Sequence, residues 1–138
     1  NERRKAVENR YEEIEDAIRV ALAGSLIDKE DMHKFKNIIE RFRLFDSEIQ
    51  AQTILTIINV YLNQDRPNGY SITDLAGDLG LSQASASRNV MLWSKLTRKK
   101  EVGPDYLVAT ECPVNRSRKR ISLSKKGLRY LGKIFPNQ

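Results

Sequence analysis

Residues 71–96, SITDLAGDLGLSQASASRNVMLWSKL, carry two short helical patterns separated by a tight turn. In the first, Leu75, Ala76 and Leu79 share one face, Ser71 or Thr73 stands where a cap is needed, and Gly80 supplies the left-handed backbone that ends a helix. Leu81 fills the turn. The second opens at Ser82, a good N-cap, and its spacings of three and four predict burial of Ala86, Val90, Trp93 and either Leu96 or Thr97. The stretch therefore predicts a helix-turn-helix. A plain helical hairpin would share these features, so the residues that follow must separate the two readings.

The same spacing leaves Gln83, Ala84, Ser85, Ser87 and Arg88 on the outer face of the second helix, with Ser82 at its start. All but Arg88 are small or modest in bulk, which lets a helix backbone approach the floor of a major groove about 12 Å wide. Gln83 and Arg88 can pair with base edges, and the serines suit phosphates or bases.

Charge is distributed unevenly along the 138 residues. Residues 1–81 hold eleven Lys and Arg against fifteen Asp and Glu, a net −4, whereas residues 82–138 hold thirteen against three, a net +10. A surface kept soluble by charge would mix the signs; a basic half that begins at the second helix is the footprint of a phosphate-binding face.

Outward from this centre, Val7, Tyr11, Ile14, Ile18 and Ala21 form a narrow heptad-like seam on a helix, flanked by Glu8, Arg10, Glu12, Glu13 and Arg19. So thin a stripe suits packing on the flank of the domain or on a second copy of the chain. Asp28 marks the start of a second helix, about Lys29 to Phe42, with Met32, Phe35, Ile38 or Ile39, and Phe42 as an ordinary core face. Asp46 or Ser47 is placed to cap a third, most apolar helix running to about Leu62, with Ile49, Leu55, Ile58, Tyr61 and Leu62 among its buried candidates. Tyr70 to Ile72 can form a short strand after the Pro67, Asn68, Gly69 turn.

Beyond Leu96 come the basic run Thr97, Arg98, Lys99, Lys100 and a Gly103, Pro104 turn. Tyr106 to Cys112 and Arg118 to Leu123 then read as a hairpin whose tip is Pro113 to Ser117. Ser124 caps a last helix, Lys125 to about Phe135, with Lys126, Arg129 and Lys133 on a basic face. A hairpin with a cationic tip directly after a helix-turn-helix is the layout of a winged helix. Narrow minor grooves attract inserted arginine, which makes Arg116, Arg118 and Arg120, with Asn115 beside them, the wing candidates. The rival for Arg118, Lys119 and Arg120 is a charged edge strand that discourages aggregation.

This order of parts resembles the multiple-antibiotic-resistance-regulator (MarR) family of bacterial transcription factors. The resemblance rests on Thr73 to Ala76, Leu79 to Ser82, Ser85 to Arg88, Asn115 to Ser124 and Gly127, and its most specific phrase is RISLSKKG. It implies a dimeric winged-helix protein on a roughly palindromic double-stranded DNA site, recognition helices in major grooves and wings in minor grooves. Asn115 and Ser117 stand where the family's wing usually has an aspartate and, two residues on, an arginine. The connection through Lys99 to Asp105 is longer than usual, and because the C-terminal helix stops near Phe135, homodimer contact is expected from the N-terminal helices or from residues outside this sequence. Proteins similar to it are commonly controlled by phenolic or related small molecules, but no residue pattern here identifies an effector pocket.

Enzyme chemistry has little to work with. His33 is the single histidine and Cys112 the single cysteine, so a histidine-based metal site has little support and an intramolecular disulfide is excluded. Cys112 beside a basic wing could form a thiolate sensor, although such a cysteine more often simply fills a strand position. Pro104, Asp105 and Glu111 approach a nuclease motif, yet Pro113 stands where its lysine belongs. No cofactor phrase, membrane span or signal peptide is evident, and a cytoplasmic location is expected. The combined expectation is a mainly α protein with a small β-hairpin: N-terminal helices over 1–46, available for dimerisation, and a winged helix-turn-helix DNA-binding domain over 47–138. The alternative is a winged helix that binds another protein in a transcription or replication assembly.

Overall fold

Local signals place most element boundaries in a computed structural model, which describes residues 2–24, 27–97, 99–111 and 118–137. In chain order these residues form α1 (Glu2–Gly24), α2 (Lys29–Phe45), α3 (Ala51–Leu62), β1 (Tyr70–Ser71), α4 (Ile72–Leu79), α5 (Gln83–Leu92), β2 (Leu107–Glu111), β3 (Lys119–Leu123) and α6 (Lys125–Ile134). The chain divides into two compact units, Asn1–Asn37 and Ile38–Gln138.

In the first unit, the α1 seam is open: Val7, Tyr11, Ile14 and Ile18 are each at least half exposed. Asp28 accepts from the backbone N–H of Glu30 at 2.9 Å and so starts α2 as expected. The expectation of a core face along the whole of α2 fails at its N-terminal half, where Met32 and Phe35 remain 58% and 65% exposed. His33 is exposed too.

The second unit opens inside α2, at Ile38, and Phe42 is fully buried in its core. That core joins Ile54, Ile57 and Val60 of α3, Leu75 of α4, Val90 and Trp93 at the end of α5, Leu107 and Ile121 of the sheet, and Leu131 and Ile134 of α6. Trp93 is its hub. Its ring stacks on Phe45 with centroids 4.6 Å apart and meets the edge of Phe42. Arg41 ties α2 to α6 by donating to the Ile134 carbonyl at 3.0 Å.

On α3 the buried face matches the expected one only at Ile58, which packs partly buried against the core. Thr53, Ile54, Thr56, Ile57 and Val60 point inward, while Leu55, Tyr61 and Leu62 are substantially exposed. The helix is apolar nearly all round, so apolarity alone does not choose a face. Two threonines go inside because their hydroxyls find partners there: Thr56 donates to the Gln52 carbonyl at 2.7 Å and Thr53 to Asn89 at 2.6 Å. The N-cap is Gln50, without a side-chain bond; Asp46 instead accepts from Glu48 in the preceding turn at 2.9 Å.

The sheet is antiparallel with order β1-β3-β2, so the short Tyr70–Ser71 strand converts the expected hairpin into three strands. Tyr70 pairs with Ile121, and Ala109 pairs with Ile121 from the other side. Ser124 caps α6 by accepting from the Gly127 N–H at 3.0 Å. Gly127 lies so close to the Tyr106 carbonyl that a Cβ there would collide with backbone. No helix among the described residues is long and apolar enough to cross a membrane.

Candidate nucleic-acid interface

The helix-turn-helix is built as its sequence dictates. Ser71 accepts from the Asp74 N–H at 3.0 Å while Asp74 accepts from the Ser71 N–H at 3.0 Å, a reciprocal capping box that starts α4. Gly80 adopts φ 65°, the left-handed conformation that lets Leu81 N–H close back on the Ala76 carbonyl at 2.9 Å. Ser82 then accepts from the Ser85 N–H at 3.1 Å and launches α5.

The inner face of α5 is pinned. Ala86, Asn89 and Val90 are buried, Asn89 holding Thr53 and also donating to the Ser85 carbonyl at 2.9 Å. Trp93 follows as the C-cap and donates from Nε1 to the Thr53 carbonyl at 2.8 Å. The helix stops at Leu92, so the period does not continue to Leu96, which is 57% exposed; Thr97 is only half-buried.

The outer face is free for a partner. Ser82, Gln83, Ala84 and Arg88 are exposed, and Ser85 and Ser87 are partly so. Gln83 donates to Thr73 Oγ1 at 2.9 Å, linking the start of α5 to α4, and Arg88 donates to Ser85 Oγ at 3.0 Å. These bonds hold two long side chains near the face without burying them, which limits the entropy lost when they meet a partner.

At the base of the wing, Arg118 does not stand free. Its Nη2 lies 2.6 Å from Asp74 Oδ2, a bond from the foot of the hairpin to the first turn of α4. Arg66 approaches the same oxygen at 3.9 Å and Asp78 at 3.9 Å, and its guanidinium lies 5.1 Å from the centre of the Tyr70 ring. Tyr70 donates its hydroxyl to Asp78 at 2.6 Å. Burial on its own would raise the Asp74 carboxyl, but the Ser71 hydrogen bonds and the Arg118 charge outweigh it and hold the group below the usual carboxylate range. Burial, then the bond to Asp78, pushes the Tyr70 phenol up. Two arginines facing two aspartates make this cluster neutral, so it fixes the wing rather than attracting phosphate.

Arg120 is half-buried on β3 opposite Ser71, its side chain lying over Gly69. Asn115 and Arg116, and with them Cys112, lie outside the described residues. The Asp74, Arg66 and Asn89 contacts were not anticipated from the sequence. Only the first had a local signal, the Ser-x-x-Asp spacing of a capping box. Among the described residues no group of three His, Cys, Asp or Glu is placed to hold a metal ion.

No protein-family model matches the chain, and no curated protein sequence does. Solved structures match its fold. The S. aureus MepR–DNA complex superposes with a TM-score of 0.56 at 19% identity, over 78% of this chain and 80% of that one. A MepR mutant from a multidrug-resistant S. aureus clinical isolate gives 0.58 at 19% identity, over 80% and 72%. S. aureus MepR bound to ethidium bromide gives 0.53 at 20% identity, over 78% and 67%. At these identities the likeness is one of fold, and that fold is the MarR-type winged helix expected from the sequence.

Proposed function

We propose that this chain is a DNA-binding transcription regulator of the MarR type that sets α5 in a major groove of double-stranded DNA and its wing in the adjacent minor groove. The observation that carries the reading is the division of α5 into two faces. One is locked to the core through Ala86, Asn89, Val90 and Trp93, and the other presents Gln83, Ala84, Ser87 and Arg88. A helix held that rigidly presents its side chains to base edges without a large ordering cost. In this reading Ser82, Gln83, Ser85, Ser87 and Arg88 make base or phosphate contacts. Asn115, Arg116 and Arg120 serve the wing. Arg118 positions it through Asp74.

The chain works as a homodimer through its N-terminal helices, on a site with two-fold symmetry. The exposed Val7, Tyr11, Ile14 and Ile18 seam supports this. It needs no catalytic group. The likeness of fold to MepR, solved in complex with DNA, supports the choice of partner.

The test is a titration of random and selected duplexes against salt. Neutralising six to ten phosphates should cost about three to five decades of affinity between 50 and 200 mM salt. Arg88→Ala should weaken the selected duplex by about 1–3 kcal/mol while leaving random duplex nearly unchanged. A flat salt response would favour a protein partner for the winged helix instead.

A further inference from the structure

The described residues between α5 and the wing, 94–97 and 99–106, are folded rather than slack. Leu96 and Val102 form an antiparallel bridge, Thr97 N–H donates to the Glu101 carbonyl at 3.0 Å, and Lys100 N–H donates to the Thr97 carbonyl at 2.9 Å. Gly103 N–H donates to the Lys95 carbonyl at 2.7 Å, and Tyr106 N–H to the Trp93 carbonyl at 2.7 Å. The result is a small finger rooted on the buried Trp93. Lys99 and Lys100 are exposed at its turn, with Lys100 at φ 60° in the left-handed region.

This finger forms one wall of a groove of about 410 Å³ along α5. Ser85 and Arg88 line the α5 side, Gln50 and Gln52 at the start of α3 line the opposite side, and Lys99 and Glu101 come from the finger. At about 100° per residue, Gln83 and the Ser85–Leu92 side fall on opposite edges of the exposed helix face. A helix about 10–12 Å across fills a groove about 12 Å wide, so both DNA strands must run close along its two edges. The Gln83–Thr73 edge faces α4. The other edge is this groove.

We propose that the finger formed by residues 96–97 and 99–102 grips, through Lys99 and Lys100, the sugar–phosphate backbone of one DNA strand on the edge of α5 marked by Ser85, as a second, shorter wing. The finger's lysines, with Gln50, Gln52 and Ser85 across the groove, are of the kinds that hold phosphate oxygens, and such contacts carry no sequence information; Met91 and Leu92 also line the groove. Glu101 opposes them, so the groove is weaker than its cations alone would make it. The proposal rests on the DNA-binding reading above.

The experiment measures binding of random duplex DNA by the full chain across a salt series, for the unmodified protein, for Lys99→Gln with Lys100→Gln, and for Glu101→Gln. The double variant should lower the magnitude of the log–log salt slope by about 1.8, two phosphates' worth, and weaken binding by about 8-fold per lost contact at 0.1 M salt. Glu101→Gln should tighten binding. All three positions are exposed, and circular dichroism and thermal melting confirm that the variants fold. Normal binding by the unmodified chain with an unchanged slope in the double variant overturns the finger alone. Absent or salt-independent binding by the unmodified chain overturns the DNA-binding reading and the finger with it.

Discussion

Arg118, at the foot of β3, places its Nη2 2.6 Å from Asp74 Oδ2, in the first turn of α4 and 44 residues away in sequence. One carboxylate therefore completes the capping box of the helix-turn-helix and fixes the wing to it. Asp74→Asn should lower stability by about 2 kcal/mol, the sum of a weakened cap and a lost charged hydrogen bond. Arg118→Gln should cost about 1 kcal/mol, because its side chain is 36% exposed and solvent screens the pair. Urea denaturation of both single variants and the double variant checks this: the double variant should lose less than the sum.

The same carboxylate makes stability depend on acid. Folding lowers the Asp74 pKa below its ordinary 3.8. Its contribution is therefore complete above about pH 3.8 and is lost as the pH falls through the still lower folded-state value. Measured over pH 2 to 6, the stability gap between the unmodified chain and Asp74→Asn should be constant above pH 4 and close below it. At the opposite end, the raised Tyr70 phenol should contribute up to about pH 10 and fail as the pH climbs beyond it.

Asn89 sets the rotation of α5 by holding the buried Thr53 hydroxyl at 2.6 Å. Asn89→Ala leaves that hydroxyl and a cavity behind, and should cost about 1–3 kcal/mol in thermal unfolding. Random-duplex affinity should fall less than selected-duplex affinity, because the phosphate contacts survive a slightly rotated helix better than base contacts do.

What the residues disclosed and what they hid follow from the range of the interactions. Ser71, Gly80, Ser82 and Ser124 act within three or four residues of themselves, so the starts of α4, α5 and α6 and the end of α4 were legible, as were the strands around the wing. The buried face of α3 was not legible, since Thr53 and Thr56 look polar until partners from Asn89 and from the helix's own backbone are known. Leu96 was misplaced because the chain leaves the helix at Trp93, whose carbonyl accepts the N–H groups of Tyr106 and Leu107. Arg118 lies at the foot of β3, and its partner Asp74 lies too far along the chain for any spacing rule to reveal.

Two glycines give a direct check on the backbone geometry. Gly80→Ala must hold a side chain at φ 65° and should cost about 1 kcal/mol. Gly127→Ala should cost more, about 1–3 kcal/mol or above, because the new Cβ meets the Tyr106 backbone carbonyl and the start of β2 must move. Differential scanning calorimetry ranks the pair, and equal, negligible effects would mean that α6 does not pack against that strand.

Ala84→Glu tests, with least disturbance to the fold, whether the outer face of α5 enters DNA. Ala84 is exposed in the first turn of α5, where an acid suits the helix dipole, so stability should change by no more than about 0.5 kcal/mol. Titrated against a duplex selected by the unmodified chain, Ala84→Glu should lose specific binding, since added bulk and negative charge meet the groove floor. A folded Ala84→Glu variant that binds that duplex as tightly as the unmodified chain would mean that this face of α5 does not enter the groove.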